Sequence, residues 1–175
     1  LLVTYPMILV STTLFGTLAV TLSLISKHLG FHAGVYWARS LTWASWVRVR
    51  VEGREHLRPG QSYVILSNHQ GAYDILALYG FLGRQFRWVM KQELRKVPFL
   101  GWGCAAIGHI FVDRGNSSRA IASLEAAKSQ LAGGVSVLFF PEGTRSDDGR
   151  LLPFKKGGFT MARQLNLPIL PVSIA

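Results

Sequence analysis

The residues best suited to chemistry lie in four short blocks, of which the first is Asn68-His69-Gln70-Gly71-Ala72-Tyr73-Asp74. An imidazole with an unperturbed pKa of about 6.5 can take up a proton near neutral pH. An aspartate accepting from one ring nitrogen fixes the tautomer and leaves the other nitrogen as a base. A helix starting near Gly71 would place Asp74 about one turn along, able to face back to His69. The same residues also suit a helix cap followed by a surface aspartate. The second block, Gly108-His109-Ile110-Phe111-Val112-Asp113-Arg114, reads as a buried strand delivering Arg114 to its end. A guanidinium there fits bidentate phosphate binding; a surface Asp113–Arg114 pair is the simpler alternative. The third block is Phe140-Pro141-Glu142-Gly143-Thr144-Arg145. Gly143 permits close backbone approach, and the N–H groups beside it can face an anion. Glu142 and Arg145, so close to an apolar run, both need partners. The fourth block, residues 167–172, holds two prolines and no ionisable side chain, so it shapes a wall or a core strand.

Positioning these blocks requires a scaffold. Short β-rich runs at residues 49–51, 63–66, 86–90, 110–112, 135–140 and 169–173 alternate with helical or loop stretches. Asn116 and Ser117 offer a helix cap, and the spacing Ile121, Leu124, Ala127, Leu131 predicts a helix ending at Gly133–Gly134. Alternation of this kind predicts an α/β fold, a mixed and mostly parallel sheet flanked by helices. Residues leaving the strand ends of such a sheet face the crevice where these folds bind ligands.

The N-terminal part has another texture. Residues 1–26 carry no charged side chain, more than the 18 or so that nominate a membrane helix. After an expected break at residues 27–30 comes a segment, 31–47, rich in amphipathic aromatics: Tyr36, Trp37, Trp43 and Trp46. Such side chains concentrate at the membrane–water boundary. This division gives N-terminal membrane-associated helices over 1–47 and a catalytic domain over 48–175. A spanning helix and a hairpin dipping into one leaflet both fit. Lys27, Arg39, Arg48 and Arg50 all follow the apolar run, which places the rest of the chain on the cytoplasmic face.

Composition agrees with a bilayer. A mean hydropathy of +0.27 is high for a soluble domain. Yet 19 Lys+Arg against 9 Asp+Glu leave a net charge of +10, which suits an anionic surface. Nucleic acid is the other common polyanion, but a membrane helix and the lack of any zinc-finger or RRM signature argue against it as partner. The single cysteine, Cys104, excludes an internal disulfide and a Cys-rich zinc site, and its apolar neighbours make it a small buried hydrophobe.

Taken together and in this order, the four blocks resemble the glycerolipid acyltransferase family, most closely its bacterial 1-acyl-glycerol-3-phosphate acyltransferase branch. His69 and Asp74 match its His-x4-Asp signature, Gly108 to Arg114 its second block, and Phe140 to Arg145 its third. Residues 167–172 match the fourth, and Lys91-Gln92-Glu93-Leu94 and Phe154-Lys155-Lys156-Gly157 match lesser features. Gln70–Tyr73 lacks the Ser-Trp often found there. The resemblance implies transfer of an acyl group from acyl-CoA or an acyl carrier protein to the sn-2 hydroxyl of a lysophospholipid acceptor. Glycerol-3-phosphate or another lysolipid is the rival acceptor, and a non-catalytic lipid-binding protein the rival class. It implies His69 as base with Asp74 behind it, and Lys91, Arg114 and Arg145 on the acceptor phosphate. Glu142, Gly143 and Thr144 complete the substrate loop. It requires no metal and no cofactor beyond the acyl donor, and it implies a bacterial inner membrane.

Overall fold

The computed structural model of the chain describes residues 4–131, 133–146 and 150–175. Its first element, α1 (Thr4–Ile25), is the one helix among them long and apolar enough to cross a membrane. Ser26 ends it in an extended conformation and caps the next helix, α2 (Lys27–Ala44), by accepting the His28 amide at 3.2 Å. The expected break at 27–30 is therefore a single residue, because the serine hydroxyl restarts the helix at once. Small residues then let the hairpin close. A Cβ on Gly30 would lie 1.9 Å from the Ser23 hydroxyl oxygen.

Five strands follow, β1 (Val64–Ser67), β2 (Phe86–Lys91), β3 (Ile110–Val112), β4 (Ser136–Phe139) and β5 (Ile169–Val172). They form one sheet in the order β3-β2-β4-β1-β5, and every pairing is parallel. The helices between them are α3 (Tyr73–Phe81), α4 (Leu100–Ile107), α5 (Ser117–Ala127) and α6 (Gly157–Leu165). Side chains alternate across the sheet, so its two faces feed two cores. Tyr63, Ile65, Phe86 and Leu138 pack with Phe31, Ala38, Leu78 and Tyr79 on the face covered by α1 to α4. Val64, Leu66, Val137 and Phe139 pack with Ala127, Met161 and Ala162 on the face of α5 and α6. Phe86, Ile65 and Leu138 are fully buried, and each such side chain stabilises the fold by roughly 1.5–3 kcal/mol.

Burial on both faces explains which expected strands formed. Predominantly apolar runs became β1 to β5, whereas residues 49–51 lie outside the sheet. There valines alternate with Arg48, Arg50 and Glu52, and Arg50 pairs with Glu52 at 2.9 Å. A strand polar on one face does not fit among central strands that are covered on both sides. Pro171 is tolerated in β5 because that strand is at the edge. Asn116 caps α5, accepting the Arg119 amide at 3.0 Å, as its sequence position predicts.

Candidate active site

All strands point the same way, so their C-terminal ends converge on one rim. β1 delivers His69 there, and the first turn of α3 brings Asp74 beside it. His69 Nδ1 and Asp74 Oδ2 are 2.9 Å apart, with side chains 15% and 8% exposed. The same oxygen accepts the amides of Gln70 at 2.7 Å and Gly71 at 2.9 Å. Asp74 therefore organises the turn and the imidazole together. With its Nδ1 proton held by the carboxylate, His69 presents the lone pair of Nε2. Its ring lies on Phe140, with centroids 3.8 Å apart and planes at 10°.

A second carboxylate grips His69 by its backbone. Glu142, buried in the loop after β4, accepts the His69 amide on Oε1 at 2.8 Å and the Leu152 amide on Oε2 at 2.9 Å. The Ser146 amide in turn donates to the His69 carbonyl at 3.2 Å. Glu142 was expected among the substrate-binding residues; instead its side chain is sealed inside, tying two loops. Its buried oxygens meet amide donors, so it forms no clamp with Arg145. Gly143 (φ +76°) needs the left-handed conformation that glycine adopts freely. Its own N–H donates to the Phe140 carbonyl at 3.0 Å, so that amide is committed to a turn.

The sequence profile described as Acyltransferase matches residues 48–175. The chain belongs to the acyltransferase family. It is 40% identical over 127 residues to human 1-acyl-sn-glycerol-3-phosphate acyltransferase alpha, a match covering 72% of this chain and 45% of that protein. A chloroplastic 1-acyl-sn-glycerol-3-phosphate acyltransferase from Brassica napus is 35% identical over 138 residues, covering 75% and 40%. The crystal structure of the 1-acyl-sn-glycerophosphate (LPA) acyltransferase PlsC from Thermotoga maritima superposes with a TM-score of 0.79 at 28% identity. That match covers 96% of this chain and 69% of the other. The chain thus spans less than half the length of the human and plant relatives.

Around the acyltransferase histidine the remaining residues fall into two groups. Arg114, just past β3, donates to the Gly143 carbonyl at 2.6 Å and so joins the His69 loop system. Burial lowers its pKa, and Glu93 opposes that effect. Lys91, at the end of β2, pairs with Glu93 at 3.2 Å. Thr144 and Arg145 are exposed on the same loop as Gly143. Among the described residues, none of Lys91, Thr144 and Arg145 bonds to His69 or Asp74. Lys155 was matched only as part of a lesser feature, without a role. Its Nζ lies 2.5 Å from where a Gly143 Cβ would sit, which brings a further cation to the loop. The only signal for it in the sequence is the Phe154-Lys155-Lys156-Gly157 run.

A groove of about 560 Å³ starts at Tyr73 and Asp74 and runs along α3 to Leu82. Val49, Val51, Leu170 and Val172 supply its apolar walls, and Arg48, Arg50, Glu52 and Arg54 line it as well. His109, although within the second block, faces away from this rim. It is buried between the Tyr79 hydroxyl at 3.0 Å and the Trp88 amide at 3.1 Å. Burial, with Arg87 nearby, pushes its pKa down to about 3. Burial pushes the Cys104 thiol up to about 12, which fits a packing role and not a nucleophile.

Proposed function

We propose that this acyltransferase moves a fatty acyl group from acyl-CoA or an acyl carrier protein to the sn-2 hydroxyl of 1-acyl-glycerol-3-phosphate, yielding phosphatidic acid. The observation that carries the reading is the His69 Nδ1–Asp74 Oδ2 contact of 2.9 Å, which leaves Nε2 as the base. His69 takes the hydroxyl proton as the oxygen attacks the thioester carbonyl. The tetrahedral oxyanion collapses with cleavage of the C–S bond, and the imidazolium returns the proton to the thiolate. With the Gly143 amide engaged, the amides of Thr144 and Arg145 are the candidate oxyanion donors. Lys91, Arg114 and Arg145 hold the acceptor phosphate, with Lys155 beside them. The valines and leucines along the groove at Asp74 support an acyl-chain wall, and the arginines beside them an anionic group. The exposed apolar side of α1 supports attachment to a bilayer, with the basic residues after it on the cytoplasmic side.

Thiol release from acyl-CoA by the purified full chain tests this, with lysophosphatidate, glycerol-3-phosphate or no acceptor. Release should require lysophosphatidate, and His69→Ala should lower it by about 10²–10⁴, the usual worth of a general base. Asp74→Asn should give a smaller or equal loss. Release by a folded His69→Ala protein at the wild-type rate overturns the mechanism; preference for glycerol-3-phosphate changes the acceptor alone.

A further inference from the structure

We propose a second phosphate-binding site on the sheet edge opposite His69, formed by Lys27, Arg87 and Gln130 around Gly108. Where the candidate active site follows the strand ends, these residues stand at the strand starts. Arg87 is the second residue of β2, Gly108 precedes β3 and Gln130 precedes β4. Lys27 opens α2 directly after the apolar α1.

Three observations converge here. Arg87 is 3% exposed, points to the face opposite its neighbours Phe86 and Trp88, and among the described residues its Nε has no hydrogen-bond partner. Its Nη1 makes a long contact of 3.5 Å to the Phe86 carbonyl. A buried guanidinium without a counter-charge is costly, and an anion is what would satisfy it. Next, the cations face a shared space. A Cβ built on Gly108 would lie 3.4 Å from Lys27 Nζ, 3.6 Å from Arg87 Nε and 2.7 Å from Gln130 Oε1. Glycine lets both cations close in on this point of the backbone, near enough to each other for one tetrahedral oxyanion to bridge them. Gln130 Oε1, a neutral oxygen, meanwhile accepts from Lys27 at 3.1 Å. Finally, a polar cleft of about 260 Å³ runs along the outer edge of β3, with Lys27, Gly108, Gln130 and Arg95 among its walls and, among the described residues, no acidic one; Arg87 lies behind Gly108 and not on the wall itself.

The chemistry fits a phosphate group, since tetrahedral oxyanions accept charge-assisted bonds from Lys and Arg together. Two sources supply one. Leu24 and Ile25, just before Lys27, are 84% and 77% exposed, so an anionic phospholipid headgroup can reach the cleft from a bilayer holding α1. Soluble phosphate is the other source.

The test uses the full chain in neutral detergent, carrying Lys91→Ala, Arg114→Ala, Arg145→Ala and Lys155→Ala so that the candidate active site does not compete. Titration with inorganic phosphate should show saturable binding, weakened about tenfold or more by Lys27→Gln, the loss expected for one charge-assisted bond. Gln130→Glu supplies the missing negative charge from within. It should abolish phosphate binding and raise the thermal midpoint measured without phosphate. Both substitutions are at the rim of the core and spare its packing. Flotation with phosphatidylcholine vesicles, with and without phosphatidylglycerol, separates the sources. Loss of the phosphatidylglycerol-dependent part in Lys27→Gln assigns the headgroup; unchanged flotation with weakened phosphate titration assigns the soluble ion. The proposal is overturned if the parent binds no phosphate, or if Lys27→Gln and Gln130→Glu titrate as the parent does. The outcome is independent of the proposed acyl transfer, which the parent of this test does not need to perform.

Discussion

Glu142 holds His69 by its main chain, Oε1 accepting the His69 amide at 2.8 Å across 73 residues of sequence. Its other oxygen holds Leu152, and the Ser146 amide returns to the His69 carbonyl. The loop after β4 therefore sets the position of the imidazole that β1 supplies, while Asp74 sets its orientation. Removing the carboxylate in Glu142→Ala strands two part-buried N–H groups. Each such loss costs about 1–3 kcal/mol when fully buried, so unfolding should shift by up to roughly 2–6 kcal/mol. Turnover should fall at least tenfold with little change in acceptor KM, because the fault lies in positioning. Denaturant unfolding alongside steady-state kinetics checks both, and a raised acceptor KM at unchanged stability would restore Glu142 as a substrate ligand.

His109 gives the fold a pH dependence of its own. In the unfolded chain it binds a proton near pH 6.5; in the fold, burial holds that event at about 3. Between these values the unfolded state carries the extra proton. Stability is therefore complete above pH 6.5 and declines as pH falls toward 3, by up to about 1.4 kcal/mol per unit. His109→Gln, which keeps a donor and an acceptor for Tyr79 and Trp88, should flatten that decline. Thermal midpoints near pH 7 and pH 5 compare the two proteins; identical acid sensitivity would refute the assignment.

Arg114→Ala and Arg145→Ala should raise the acceptor KM about ten- to a hundredfold while sparing the donor KM, one charge-assisted phosphate contact being worth roughly 1.5–3 kcal/mol. Arg114→Ala carries a further cost, since its guanidinium also holds the Gly143 carbonyl. Arg145 is exposed, so Arg145→Lys should keep part of its function. Kinetics with each substrate varied in turn decides. An unchanged acceptor KM with a raised donor KM would move both arginines to the phosphates of coenzyme A.

Parts of this molecule were legible in the residues alone, for physical reasons. β1, β3 and β4 are short, almost wholly apolar runs because both faces of the sheet are covered there, and such runs announce themselves; β2 is interrupted only by Arg87 before its final lysine. The His69–Asp74 pair was legible because both partners sit on one strand-to-helix turn. Residues 49–51 misled because their valines resemble a half-buried strand, whereas in the fold they line the groove beside α3, outside the sheet. The expected four-residue break failed because a lone serine hydroxyl can end one helix and cap the next. Glu142 was assigned to substrate since side-chain-to-backbone bonds between distant loops leave no trace in spacing. Lys27, Arg87, Gly108 and Gln130 are likewise scattered, and only parallel topology gathers them at one edge.

Membrane attachment is best tested without deleting the hairpin. Phe31, Ala33 and Ala38 of α2 share a core with Tyr79 and Phe86, so removing residues 1–47 would open the interior as well as the anchor. The outward stripe offers a cleaner route. Leu14, Leu24 and Trp43 are 54%, 84% and 83% exposed, and none lines the buried core. Gly16 and Ala19, by contrast, lie against Phe99 and Gly103, which fixes the middle of α1 to α4. A helix crossing the bilayer in that arrangement would drag α4 into hydrocarbon, so attachment along the plane of one leaflet is expected. Three apolar side chains leaving lipid cost roughly 1.5–3 kcal/mol each, enough to lower partitioning by several orders of magnitude. The wild type should stay with sedimented vesicles in high salt, because salt screens charges and not apolar burial. The variant carrying Leu14→Asn, Leu24→Asn and Trp43→Asn should move to the supernatant under the same wash, with its thermal midpoint nearly unchanged. A wild type stripped by salt would make the attachment electrostatic. A triple variant that still sediments after the wash would mean that α1 spans the bilayer.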